Sequence, residues 1–170
     1  MKKTMMMLSL ALMSLGSYAQ HDHGGHAMQD GNMQMEPKFK NKYLGIAYFN
    51  YLSLKDALVA SDKEKAKQTA SQLDKSLEKV EGSKKAQTEA GKISNATSLE
   101  DQRLAFNGLS NEMADLVKNG KLSMGEIYLE YCPMANNNEG AFWLSNQKDI
   151  RNPYLGDRML KCGSIKETIN

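Results

Sequence analysis

From Tyr43 to Val117 apolar residues return every three or four positions, and this period constrains the chain more than any other feature. Only a helix gathers residues at that spacing onto one face. Tyr43, Ile46, Ala47, Tyr51, Leu54, Ala57 and Leu58 predict a first long helix over about 38–60. Ser61-Asp62-Lys63-Glu64 has the form of a capping box and opens a second. Its apolar line, Ala66, Ala70, Leu73, Leu77 and Val80, is a narrow seam that Gly82 closes. Residues 83–96 are polar and read as a loop with a helical piece. Thr97-Ser98-Leu99-Glu100 is a second capping box. The third helix carries Leu99, Phe106, Leu109, Met113, Leu116 and Val117 and ends at Asn119-Gly120. Ser123-Met124-Gly125-Glu126 opens a short fourth helix over about 123–131. Beyond Pro133 the chain is rich in turn formers, with room only for short strands. The expectation is a mainly all-α fold over 38–170. It is an antiparallel bundle of three to four helices with an irregular C-terminal wrap.

The first residues set the compartment. Met1-Lys2-Lys3, an apolar run from Met5 to Leu15 and Ser17-Tyr18-Ala19 read as a secretory signal peptide over 1–19. The run is too short to span a bilayer, and no later stretch is apolar enough to insert stably. Loss of Lys2 and Lys3 leaves a net charge of zero. That gives nucleic-acid binding no support. Residues 20–37 hold every histidine, His21, His23 and His26, together with Met28, Met33 and Met35. Without hydrophobic periodicity they read as a disordered tail. Imidazole takes Cu(II) or Zn and thioether takes Cu(I), so the tail suits capture of copper or zinc. Ordering it costs about 1–2 kcal/mol per residue, which favours weak, exchangeable capture. A spacer with no role is the plain alternative.

The chemistry concentrates between Tyr128 and Gly163. Both cysteines lie there, each beside a methionine: Cys132-x-Met134 and Met159-x-x-Cys162. Thiolate and thioether together favour Cu(I). An extended Cys-x-Met segment and a helical Met-x-x-Cys turn each put two sulfurs on one side. Two cysteines in an exported protein equally suit a disulfide, and closing that loop is worth about 3–4 kcal/mol. Trp143 reads first as a core anchor, with a cation–π cap over the site as the second reading. Asn152, Pro153, Tyr154 and Gly156 read as turn formers that aim Met159 and Cys162.

The runs L-K-D-A-L-V-A-S-D (54–62), Y-C-P-M-A (131–135), A-F-W-L-S (141–145) and I-R-N-P-Y-L-G-D-R-M-L-K-C-G (150–163) resemble a bacterial domain of unknown function. That domain occurs free-standing in secreted proteins. It also occurs at the C-terminus of periplasmic adaptor subunits of copper/silver-type heavy-metal RND efflux systems. The resemblance implies a helical domain and an association with metal export, over about 45–165. It places Cys132, Met134, Met159 and Cys162 at the positions of the domain's pattern.

No C-x-x-C-H, C-x-x-C, H-E-x-x-H, P-loop or G-x-S-x-G motif is present, so no enzyme is expected. The expected function is periplasmic or secreted copper binding, as a metallochaperone or buffer linked to a heavy-metal efflux adaptor or pump. The alternative is a disulfide-stapled helical interaction module of an efflux or envelope complex that binds no metal.

Overall fold

The structure is a computed structural model and describes residues 36–170. The signal peptide and nearly all of the His/Met-rich tail, with every ligand expected there, lie outside the described residues. What it describes is mainly helical, with two small antiparallel sheets.

The first helix, α1 (Lys42–Val59), begins later than its periodicity suggests. Asn41 caps it, its side chain accepting from the Tyr43 and Leu44 backbone N–H groups. Upstream, β1 (Lys38–Phe39) is extended. α2 (Lys63–Leu77) is capped by Asp62, which accepts from the Lys65 N–H at 2.9 Å. The N-cap therefore sits one residue later than expected, no reciprocal box forms, and Ser61 takes a left-handed φ of 56°. Along α2 the seam Ala66, Ala70, Leu73 and Leu77 is fully buried. The helix stops at Leu77, before Gly82.

Residues 84–95 form a full helix, α3 (Lys84–Asn95), rather than a loop. Its inner stripe is small: Ala86, Ala90 and Ile93. Little apolar area marks such a helix in sequence, yet α2 and α4 supply the packing that stabilises it. α4 (Leu99–Gly120) is capped by Ser98, paired reciprocally with Asp101. Phe106, Leu109, Met113 and Val117 form its buried line. Each helix packs on the next, and α1 also meets α4.

The predicted fourth helix does not form. β2 (Leu122–Met124) pairs with β1, and β3 (Ile127–Cys132) follows. Ile127, Tyr128, Leu129 and Glu130 are all buried, which a strand covered on both faces allows. A four-residue helical turn, α5 (Ala135–Asn138), passes through left-handed φ at Asn136, Asn137 and Asn138. β4 (Ala141–Ser145) and β5 (Ser164–Ile169) flank β3 in an antiparallel sheet of order β4-β3-β5. The C-terminal part is thus a sheet rather than an irregular wrap.

The outer edge of β4 is closed by two tyrosines. Tyr51 of α1 accepts from the Leu144 N–H at 3.0 Å, and Tyr154 donates to the Phe142 carbonyl at 2.5 Å. Two of the edge groups that invite another strand are thereby satisfied inside the molecule. A file of rings, Phe39, Tyr48, Tyr51, Phe106, Tyr154 and Trp143, links the helices to this sheet, with successive centroids 5.3–6.3 Å apart.

Candidate functional site: a disulfide with methionines nearby in sequence

Cys132 ends β3, and Cys162 stands two residues before β5. Pairing sets Tyr131 opposite Ser164, so the two cysteines meet just past the end of the ladder. They are joined in a disulfide, with Cα atoms 5.8 Å apart. The fold therefore brings both sulfur-bearing segments together. It brings them together as a bond: neither sulfur is a thiolate, so neither offers the thiolate donor of the expected Cu(I) sphere. Of the uses open to the pair, Cu(I), zinc or a disulfide, the structure takes the disulfide.

The methionines stand at the surface. Met134 is 45% exposed and Met159 is 40% exposed, so neither thioether is spent on core packing. Cys132-Pro133-Met134 is not extended as expected, because Met134 has helical angles (φ −89°, ψ −9°) and begins a turn. Met159 and Cys162 do share a turn, with the Cys162 N–H donating to the Met159 carbonyl at 3.0 Å. Among the described residues no group of three or more His, Cys, Asp or Glu is placed to hold a metal ion, and thioethers lie outside that set of donors.

Asn152 positions the Cys162 segment and does more than make a turn. Fully buried, its Oδ1 accepts from the Tyr154 and Leu155 N–H groups. Its Nδ2 donates to the Cys162 carbonyl at 2.8 Å. Its own N–H donates to the Leu160 carbonyl at 2.8 Å. Gly163 has φ +147°, and a Cβ there would lie 2.7 Å from the Trp143 ring. Trp143 is fully buried. It is a core anchor, and its ring edge reaches the backbone beside Cys162.

Two charged residues escaped the sequence reading. Glu130 is on β3, two positions before Cys132, and Lys55 is on α1; both are buried. Neither Glu130 oxygen has a hydrogen-bond partner, nor does the Tyr48 hydroxyl or the Trp143 indole nitrogen. Burial pushes the Glu130 carboxyl up to about 8, with Asp149 adding to the rise. Lys55 pulls it back, and so does the nearby Trp143 N–H, although that N–H stands outside hydrogen-bonding geometry. The Tyr48 hydroxyl is raised well above its ordinary value by burial, then by Tyr51 and Glu130. Lys55 itself pairs with Asp56 at 3.1 Å. A signal was present in sequence: Lys55 lies four residues after Tyr51 and three before Leu58, on the apolar face of its helix. Glu130 interrupts an apolar, aromatic run.

Residues 47–125 match the family model described as a protein of unknown function (DUF3347). The match runs from Ala47 in α1 through α4 to Gly125. Lys55 lies inside it. The disulfide, its methionines, Glu130 and Trp143 lie beyond its end. Of the runs that carry the resemblance, 54–62 falls within the match, while 131–135, 141–145 and 150–163 do not. No curated protein and no solved structure matches the chain.

Proposed function

We infer that this is an exported soft-metal-binding protein that holds Cu(I) when its disulfide is open. Four helices, read as an antiparallel bundle, serve as scaffold for the sulfur-bearing sheet. Cys132 and Cys162 act as thiolates in the reduced protein, with Met134 and Met159 completing the donor set. The His/Met-rich tail captures copper or zinc ions weakly and passes them on. The role is that of a metallochaperone or buffer in the periplasm or outside the cell, associated with heavy-metal efflux and without catalysis.

The observation that carries this reading is the pairing of two features. The cysteine segments meet within bonding distance, and both adjacent thioethers remain exposed. Their exposure leaves both thioethers open to a ligand. Oxidation closes the site, because a disulfide has no thiolate to offer.

The bond itself favours a second reading, in which the disulfide is a permanent staple in a helical module that docks on an efflux or envelope partner and binds no metal. Titration with Cu(I) against a competing chelator separates the two. Reduced protein takes up one ion tightly, oxidised protein does not, and Cys132→Ser or Cys162→Ser abolishes the difference. Equal, weak uptake in all four samples rejects the metal reading.

A further inference from the structure

The two sulfurs of the disulfide are not equivalent. Cys132 is fully buried within the hydrophobic core, whereas Cys162 is only partly buried against it. Thiol–disulfide exchange proceeds by in-line attack of a thiolate on one sulfur while the other leaves. Access therefore decides which sulfur is attacked. An incoming thiolate reaches Cys162 from solvent. To attack Cys132 it has to displace a covered strand end.

The contacts around the pair also stay in place with the bond open. Cys132 is held by its pairing with Ala141 on β4. Tyr131 pairs with Ser164 on β5. The Cys162 carbonyl is held by the Asn152 side chain, and Gly163 packs on Trp143. None of these contacts uses the sulfur–sulfur bond. Opening it leaves two thiols side by side rather than a released tail.

We propose that Cys132–Cys162 is an exchangeable redox couple, opened by a dithiol reductant that attacks Cys162 and expels Cys132. One thiolate of the reductant bonds to Cys162 Sγ, the Cys132–Cys162 bond breaks, and Cys132 leaves with the electron pair. The second thiol of the reductant then displaces Cys162 and closes its own disulfide. Two electrons pass from the dithiol to the protein. The two protons given up by the reductant end on Cys132 and Cys162. No metal takes part, so this goes beyond the metal reading and can fail or hold separately from it.

The test uses the full chain, oxidised and folded, with glutathione as a monothiol probe. The reaction is quenched in acid, free thiols are blocked with a maleimide, and the peptides are mapped by mass. Glutathione is expected on Cys162 and maleimide on Cys132, in a ratio of at least about ten to one. A second measurement compares single-thiol variants. The Cys162 thiol in Cys132→Ser reacts with an aromatic disulfide reagent at least about tenfold faster than the Cys132 thiol in Cys162→Ser. Circular dichroism of the reduced protein matches that of the oxidised protein. Adduct on Cys132, an even split, opening only in denaturant, or loss of the sheet on reduction each overturns the proposal. Cu(I) uptake is measured apart, on chemically pre-reduced protein, so its failure leaves this result untouched.

Discussion

Glu130 on β3 and Trp143 on β4 stand directly opposite each other in the sheet, both fully buried, and neither has a hydrogen-bond partner for its polar side-chain atoms. A carboxyl in that position is better tolerated neutral than charged. The Lys55 charge offsets part of the burial but does not overcome it, which leaves the carboxyl at about 8.

Stability therefore falls as pH rises across the lower and middle range. An unfolded glutamate releases its proton near pH 4.3. Folded Glu130 keeps its proton until about 8. Between these values the native state binds the extra proton, so rising pH favours unfolding. The slope contributed is at most about 1.4 kcal/mol per pH unit and ends above the folded value. Glu130→Gln carries no titrating group and flattens that slope. Denaturant midpoints measured from pH 5 to 9 check it. A wild-type profile with no fall beyond that of Glu130→Gln refutes the assignment.

Arg103 ties three segments together. Its Nε donates to the Pro153 carbonyl, and its Nη2 donates to the Leu58 carbonyl and Ser61 Oγ, each at 2.9 Å. These bonds fix the end of α1, the α1–α2 turn and the loop that leads to Cys162. Gly156 lies so close that a Cβ there would stand 2.7 Å from Nη2. Arg103→Ala removes a partly buried, charged donor set and costs about 2–4 kcal/mol. Arg103→Lys recovers little, since an ammonium cannot reproduce the planar fork. Urea unfolding of the two variants gives the comparison. Full recovery by lysine shows that charge alone matters there.

The helices were legible where burial repeats at helical spacing. Ala66, Ala70, Leu73 and Leu77 are buried as their spacing requires. α3 was not, because Ala86 and Ala90 carry too little apolar area to announce a face. The strand Ile127–Cys132 was hidden behind Ser123 and Glu126, which mimic a capping box. Its β-branched and aromatic residues carried the opposing signal. The closeness of Cys132 and Cys162 depends on β3–β5 register, a long-range pairing that no local pattern encodes. Glu130 on β3 and Lys55 on α1 come near one another only through the tertiary fold. Sequence places each on its own element and cannot bring the two together.

Tyr51 joins the helical and β parts through one hydroxyl. Its Oη accepts from the Leu144 N–H and lies 2.8 Å from Ser110 Oγ of α4. The ring is fully buried and stacks on Phe106 at 5.3 Å. Burial and the nearby Glu130 keep the hydroxyl protonated far above its ordinary range, so it stays a neutral donor and acceptor. Tyr51→Phe keeps the ring packing and deletes only the oxygen. It leaves the Leu144 N–H buried without an acceptor, at a cost of about 1–3 kcal/mol. Exchange of the Leu144 amide with deuterium is then expected to speed up more than exchange in the helices, because the β4 edge loses its hydrogen bond to α1 at that residue. An unchanged Leu144 protection relative to the helices, or a stability loss below about 0.5 kcal/mol, shows that the edge is held by packing and not by this hydroxyl.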